Sequence, residues 1–250
     1  MRVLFVSGEV SPFTAASEIG DIVRNLPEQL HESGKYETRI MMPRYGVISE
    51  RRNRLHEVIR LSGSEIVVDD EIQTLRVKVA SIPGIRLQVY FMDNVYYFKR
   101  KGVIAGKDGV TFDDNSERAM YFGKAAFETI KNLGWKPDVV HAFGWASSFA
   151  PFLLKNELSE EPLFESAKIV YTPDHADANP DLTKERCEAL GIPSELAGKS
   201  LDDVGASYAD ALIHPSSANG SGQGARFGTD PESYMETANT VYEQLLGVTV

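Results

Sequence analysis

The segment from Pro12 to Asp21, PFTAASEIGD, lies between an apolar run and a helical pattern, where nucleotide-binding folds usually hold a phosphate. It has no glycine before Gly20, although glycine is the residue that lets a backbone approach a phosphate closely. Ser17 and Glu18 predict a capped helix instead, with the serine as N-cap and the carboxylate in the first turn, beside the positive end of the helix dipole. The alternative is a site where Glu18 or Asp21 binds a cation or a sugar hydroxyl.

A second polar segment, DHADAN, begins at Asp174, one proline after the apolar run AKIVYT. Carboxylates and imidazoles ligate metals and transfer protons, and the carboxyl ends of strands face the binding crevice of a doubly wound sheet. The spacing matches no established ligand pattern, so we predict no metal site. Two interpretations remain, a solvated turn and a ligand contact through Asp174 and His175.

A third candidate group follows the run DVVHAF. Trp145 has the ring to stack on a sugar, and a tryptophan after a strand also commonly fills a core. His141 lies within the apolar run, and we interpret it as a packed core histidine.

Composition excludes several classes of function. The chain has 250 residues, 42% of them apolar, and a net charge of −10, which argues against a nucleic-acid or anionic-membrane surface. Cys187 is the single cysteine, so internal disulfides and thiolate metal clusters are excluded, and we expect a cytoplasmic protein. The first apolar run is too short for a signal peptide or a membrane span. We expect no cofactor.

The elements that must position these residues alternate between strand and helix. RVLFV predicts a buried strand, a helix follows with Ile19, Ile22, Val23, Leu26 and Leu30 on one face, and a second strand ends at Pro43. This order predicts an α/β, Rossmann-like, predominantly parallel doubly wound sheet.

Period-two patterns over residues 63–92 predict an antiparallel β insertion. A helical stripe stops at Gly134, and ALIH predicts a final strand. A closing helix spans about residues 230–246, with Asp230 as its cap and Pro231 at its first position. We interpret residues 1–250 as a single domain.

Several segments together resemble the N-terminal half of bacterial glycogen and starch synthases, glycosyltransferase family 5. They are MRVLFVSGEVSPF, LPEQL, MPRYG, FDDNSERAMYF, LGWKPDVVHAFGW and SYADALI, in order over roughly residues 1–215. The resemblance implies a GT-B-type N-terminal domain from an enzyme that transfers glucose from a sugar nucleotide to an α-1,4-glucan. The second GT-B domain, which grips most of the nucleotide, is expected to be absent, as in short homologues that consist of the N-terminal domain only.

The chain departs from the family pattern at its first loop. Where the family has Lys-Thr-Gly-Gly-Leu, this chain has Ala15, Ala16, Ser17, Glu18 and Ile19. A carboxylate about 5 Å from a phosphate oxygen costs about 3 kcal/mol at an effective dielectric constant of about 20. Loss of the lysine removes a charged hydrogen bond to the phosphate, which is roughly 1.5 to 3 kcal/mol of further binding free energy. Together, the added carboxylate and the missing lysine predict that the sugar-nucleotide donor binds more weakly by about a thousandfold or more.

Two further family motifs are altered. The family's His-Asp-Trp-His aligns with Phe143, Gly144, Trp145 and Ala146, so Phe143 replaces a histidine that touches the transferred sugar in the family. The family's His-Asn aligns with Asp174 and His175. The family counterparts of Tyr96, Tyr97 and Phe98 border the acceptor side of the cleft, which makes Tyr97 a candidate glucan contact. Packing beside the basic residues that follow is an equally good interpretation.

From these departures we predict no catalytic residues and a catalytically degenerate domain of glycogen metabolism that binds an α-glucan or a protein partner. One alternative is a glucosyltransferase completed by a separate chain that supplies the missing domain. Another is a repurposed small-molecule binding module around Glu18, Asp174 and His175. Homodimerisation is a further alternative, since the face that would meet the missing domain must be either polar or covered. The closing helix could itself cover that face.

Overall fold

The computed structural model describes residues 1–174, 182–218 and 223–248. The strands in these ranges are β1 Arg2–Ser7, β2 Glu37–Pro43, β3 His56–Glu57, β4 Glu65–Val68, β5 Glu71–Thr74, β6 Arg76–Ser81, β7 Gln88–Asp93, β8 Val139–Phe143, β9 Lys168–Thr172, β10 Ala211–His214 and β11 Ala225–Arg226. Nine of them form one sheet in the order β11-β10-β9-β8-β1-β2-β7-β6-β3.

The centre of the sheet is parallel, as the sequence predicts. β1 pairs in parallel with β2 on one side and with β8 on the other, and Val3 to Val6 are fully buried. β9, β10 and β11 extend the sheet in parallel beyond β8, so ALIH is not its final strand. The α/β, Rossmann-like, doubly wound architecture is confirmed.

The antiparallel strands lie at one side of the sheet. β6 pairs antiparallel with β7 and with β3, and β4 and β5 form a separate antiparallel hairpin. β7, which the sequence places inside the insertion, also pairs in parallel with β2. Its second half, Phe91 to Asp93, is buried at every residue, as expected for an internal strand covered on both faces.

Helices flank the sheet. They are α1 Glu18–Glu32, α2 Glu50–Asn53, α3 Val95–Phe98, α4 Asn115–Leu133, α5 Phe149–Lys155, α6 Lys184–Ala189, α7 Leu201–Tyr208 and α8 Tyr234–Leu246. The five apolar residues predicted for one face of α1 are all buried, and α4 ends at Gly134, whose φ of 60° suits glycine. Among the helices of the described ranges, none has the length and apolar character needed to cross a bilayer.

The closing helix differs from its prediction in two respects. A 3-10 turn, Pro231–Ser233, precedes α8, and the Asp230 side chain makes no capping hydrogen bond. Instead, the Asp230 carbonyl accepts from the Ser233 hydroxyl at 2.7 Å. α8 packs against α1, β10 and β11.

Candidate functional site

The candidate site lies at the carboxyl ends of β1, β8 and β9. From β1 the chain continues to β2 on one side and later returns to β8 on the other side of β1, and open α/β sheets bind ligands where the strand order reverses in this way. Glu9 follows β1, Trp145 follows β8 and Asp174 follows β9. We call this region the carboxyl edge.

Ser17 caps α1, as the sequence predicts. Its hydroxyl oxygen accepts from the backbone N–H of Gly20 at 2.9 Å and its proton is donated to the Glu9 carboxylate. Asp21 accepts from the Ser11 hydroxyl at 2.7 Å, and its own N–H donates to the Ser17 carbonyl at 3.0 Å. Ser17 therefore satisfies one of the free N–H groups at the start of α1, that of Gly20.

Glu18 reaches a distant loop. Its carboxylate accepts from the backbone N–H of Ser216 and, at 3.1 Å, from that of Ser217, which follow β10. Partial burial acts to raise the pKa of Glu18, but the hydrogen bonds from the two serines outweigh burial and the pKa is lowered. From the sequence we expected Glu18 to interact with the dipole of its own helix. The contact with Ser216 and Ser217 could not be predicted, because these serines lie almost 200 residues away in the chain.

Two more carboxylates lie at the carboxyl edge. Burial raises the pKa of Glu9, the hydrogen bond from Ser17 opposes the rise, and the charge of Asp174 adds to it. Asp174 accepts from the backbone N–H of Trp145 at 3.1 Å. These oxygens accept hydrogen bonds and repel anions. His175 lies outside the described residues.

The three candidate aromatic rings are core side chains in this structure. Phe143 is fully buried and stacks on His141 with ring centroids 4.0 Å apart, and Trp145 is only 3% exposed. Tyr97 is 2% exposed, whereas its neighbour Tyr96 is 55% exposed. α3 begins at Val95, and its short turn directs Tyr97 inward. Ligand contacts by these three rings stay predictions.

His141 is the packed core histidine that the sequence predicts. Its Nδ1 lies 2.6 Å from the Tyr242 hydroxyl and its Nε2 lies 2.9 Å from the Thr172 hydroxyl. Burial lowers the pKa of His141 well below its usual value, so the ring is neutral at neutral pH. The pair with Tyr242 anchors α8 to β8.

Sequence reasoning missed two buried polar residues behind the carboxyl edge. Arg118 is fully buried and donates from Nε to the Tyr97 carbonyl at 2.9 Å, and its guanidinium carbon lies 5.4 Å from the centre of the Trp145 ring. The Tyr45 hydroxyl is buried without a hydrogen-bond partner among the described residues. An arginine in the polar segment NSERAM is expected at the surface, because arginine is rarely fully buried. Nothing in the sequence signals its burial.

The family model for the starch synthase catalytic domain matches residues 2–213. A glycogen synthase of Chlorobium luteolum is 39% identical over 214 residues, which cover 83% of this chain and 43% of that protein. A glycogen synthase of Chlorobium limicola is 41% identical over 220 residues, covering 84% and 45%. The chain thus spans less than half the length of these curated relatives.

Among solved structures, the catalytic domain of starch synthase IV from Arabidopsis thaliana, bound to ADP and acarbose, superposes with a TM-score of 0.70. The match covers 84% of this chain and 44% of that one, at 18% sequence identity. At that identity the likeness supports the fold.

Proposed function

This chain belongs to the starch synthase catalytic domain family, and from that premise we propose that it binds an α-glucan in glucan metabolism without transferring glucose itself. The observation that carries the proposal is the Glu18 carboxylate bound to the backbone N–H groups of Ser216 and Ser217. With a buried, unpaired cysteine at position 187, we place this role in the reducing cytoplasm.

The first support is the hydrogen bonding around the start of α1. A sugar nucleotide needs backbone N–H groups and a cation for its diphosphate. Here Ser17 already satisfies the N–H of Gly20, and Glu18 already satisfies the N–H groups of Ser216 and Ser217. A phosphate that used the N–H groups of Ser216 and Ser217 would have to displace the Glu18 carboxylate, which is covalently part of the chain.

The second support is the charge of the carboxyl edge. Glu9, Glu18 and Asp174 all lie there, and Ala15 stands where the family resemblance places a lysine. Each carboxylate about 5 Å from a phosphate oxygen opposes binding by about 1 kcal/mol when fully solvated and by about 3 kcal/mol when partly buried. An α-glucan carries no charge, and carboxylates accept hydrogen bonds from its hydroxyl groups.

The third support is an exposed apolar platform near the carboxyl ends of β2 and β7. Tyr96, Val95 and Val47 are 55%, 63% and 50% exposed, and they follow the two adjacent parallel strands. Tyr96 is held by an edge-to-face contact with the buried Tyr97, with centroids 4.9 Å apart. A tyrosine ring held in this way suits the apolar face of a glucose unit. Tyr96 therefore replaces Tyr97 as the glucan contact that we favour.

Isothermal titration calorimetry with maltoheptaose tests the proposal. We expect saturable binding, and we expect Tyr96→Ala to weaken it by about tenfold, as for the loss of one stacked ring. Ile72→Ala is the matched control, since Ile72 is 60% exposed on β5 in the separate hairpin. Binding should be unchanged in that variant.

Three results would contradict the proposal. The first is no maltoheptaose binding at millimolar concentrations, and the second is equal weakening in both variants. The third is glucose transfer from a sugar nucleotide, by the chain alone or with a separate chain added, which would favour the alternative of an enzyme completed in trans.

A further inference from the structure

A basic cavity lies at the opposite side of the sheet from β11, beside β3 and β6. Its volume is about 730 Å³, within the range of small-molecule sites. Its walls include Arg52, Arg54, His56 and Arg86, and no aspartate or glutamate. We call it the arginine cavity.

The charge of the arginine cavity contrasts with that of the chain. The net charge is −10, yet three exposed arginines and an exposed histidine line this cavity. The structure's described residues place no carboxylate within 4.0 Å of Arg52, Arg54 or Arg86, whereas arginines elsewhere, such as Arg44 and Arg100, are paired. Three unneutralised guanidinium groups around one cavity favour an anionic ligand.

Local backbone structure sets the positions of Arg52 and Arg54. Ser49 caps α2 by accepting from the Arg52 N–H at 3.3 Å, and Arg54 ends the helix with a φ of 54°, a left-handed conformation that favours glycine. A non-glycine residue held in that region is more often found at functional sites. The opposite wall is the turn before Arg86, where Arg24 of α1 donates to the Pro83 carbonyl at 3.0 Å.

The remaining walls indicate the kind of anion. Asn53 and Ser81 supply polar groups for hydroxyls, and Phe13 and Ile85 supply apolar surface. Guanidinium groups bind phosphate oxygens in pairs with matching geometry. We propose that the arginine cavity binds a phosphate monoester of monosaccharide size. This site is separate from the carboxyl edge and does not depend on the glucan proposal.

The test is calorimetric titration of the intact chain with glucose 6-phosphate, glucose 1-phosphate, inorganic phosphate and glucose. We expect saturable binding of at least one sugar phosphate below about 1 mM, at least tenfold tighter than that of glucose, and weaker at high salt. Comparing the esters with inorganic phosphate shows whether the sugar contributes.

Two variants and one control make the test specific. Arg54→Gly should keep the fold, because glycine adopts a φ of 54° without strain, and should weaken binding about tenfold. Arg86→Ala should weaken it similarly. Arg60→Ala removes the same charge from an exposed arginine outside the cavity and should leave binding unchanged.

Four outcomes would overturn the proposal. They are the absence of saturable binding of any sugar phosphate below about 1 mM, equal affinity for glucose and its phosphates, equal loss in Arg60→Ala, and full binding in the Arg54→Gly/Arg86→Ala double variant. Much tighter binding of heparin or of phosphatidylserine vesicles than of the sugar phosphates would also overturn it, since that result would assign the arginines to a macromolecular anion.

Discussion

Replacing Glu18 with glutamine should increase the affinity of the chain for ADP. The change removes the negative charge next to the first turn of α1 and leaves a side chain of nearly the same size. For a phosphate oxygen about 5 Å away, the repulsion removed is about 0.8 kcal/mol in water and about 3 kcal/mol at an effective dielectric constant of about 20. Glu18 is half-buried, so the gain should lie between these limits. This corresponds to about 4-fold to about 200-fold in affinity.

Calorimetric titration with ADP measures this gain. Glu160→Gln is the matched control, because it makes the same chemical change at an exposed position far along the chain. Adding Ala15→Lys to Glu18→Gln should raise the affinity by roughly another tenfold or more through a charged hydrogen bond to phosphate. Urea unfolding of each variant shows that the fold is retained.

Two results would refute the reasoning. If the unmodified chain binds ADP with micromolar affinity, Glu18 does not exclude a diphosphate. If Glu18→Gln and Glu160→Gln bind ADP equally weakly, the charge at the α1 N-terminus is not the cause of exclusion.

The remaining predictions concern stability, measured by urea unfolding. The pKa of Glu18 is lowered in the folded state, so the ionised carboxylate stabilises the fold above about pH 4.3, and this stabilisation is lost as the pH falls through the folded-state pKa. Glu18→Gln should therefore lower the free energy of unfolding by about 1 kcal/mol at pH 7 and leave it unchanged near pH 2. A difference that does not depend on pH would contradict this. Tyr242→Phe should cost about 1 to 3 kcal/mol, since it leaves the buried Nδ1 of His141 without its partner, and an unchanged midpoint would argue against that hydrogen bond. Burial lowers the pKa of His141, so the neutral ring stabilises the fold above about pH 6.5, and this stabilisation is lost as the pH falls. Between pH 7 and pH 5 the free energy of unfolding should therefore fall more in the wild type than in His141→Gln. An equal fall in both proteins would refute this. Gly205→Ala should lower the free energy of unfolding by about 1 to 3 kcal/mol, because the new Cβ would lie 2.4 Å from the Tyr171 ring. A gain in stability would show that the ring moves aside easily.

Much of the fold could be predicted because its signals are local. The buried run RVLFV, the apolar face of α1 and the glycine after α4 each specify an element within a few residues. The pairing of β7 was harder to predict, because its alternating pattern suits an edge strand, whereas it lies between the preceding strand β6 and the distant strand β2. The predicted side-chain cap of the closing helix was also wrong, since the Asp230 carbonyl accepts the hydrogen bond and its side chain does not.

The features of the candidate site that depend on local residue types could be predicted, and those that depend on contacts between distant segments could not. The altered loop at Ser17 and Glu18 and the core position of His141 follow from sequence. The contact from Glu18 to the loop after β10 and the burial of Arg118 depend on tertiary packing. Tyr96 and Tyr97 are adjacent, and only the direction of one helical turn decides which of them is exposed.

The most direct test of the central claim is incorporation of radiolabelled glucose into glycogen from ADP-glucose and from UDP-glucose by the purified chain. Our account predicts no incorporation above background with either donor, under conditions where the same preparation binds maltoheptaose. Sustained, donor-dependent incorporation that is abolished by boiling the protein would contradict it.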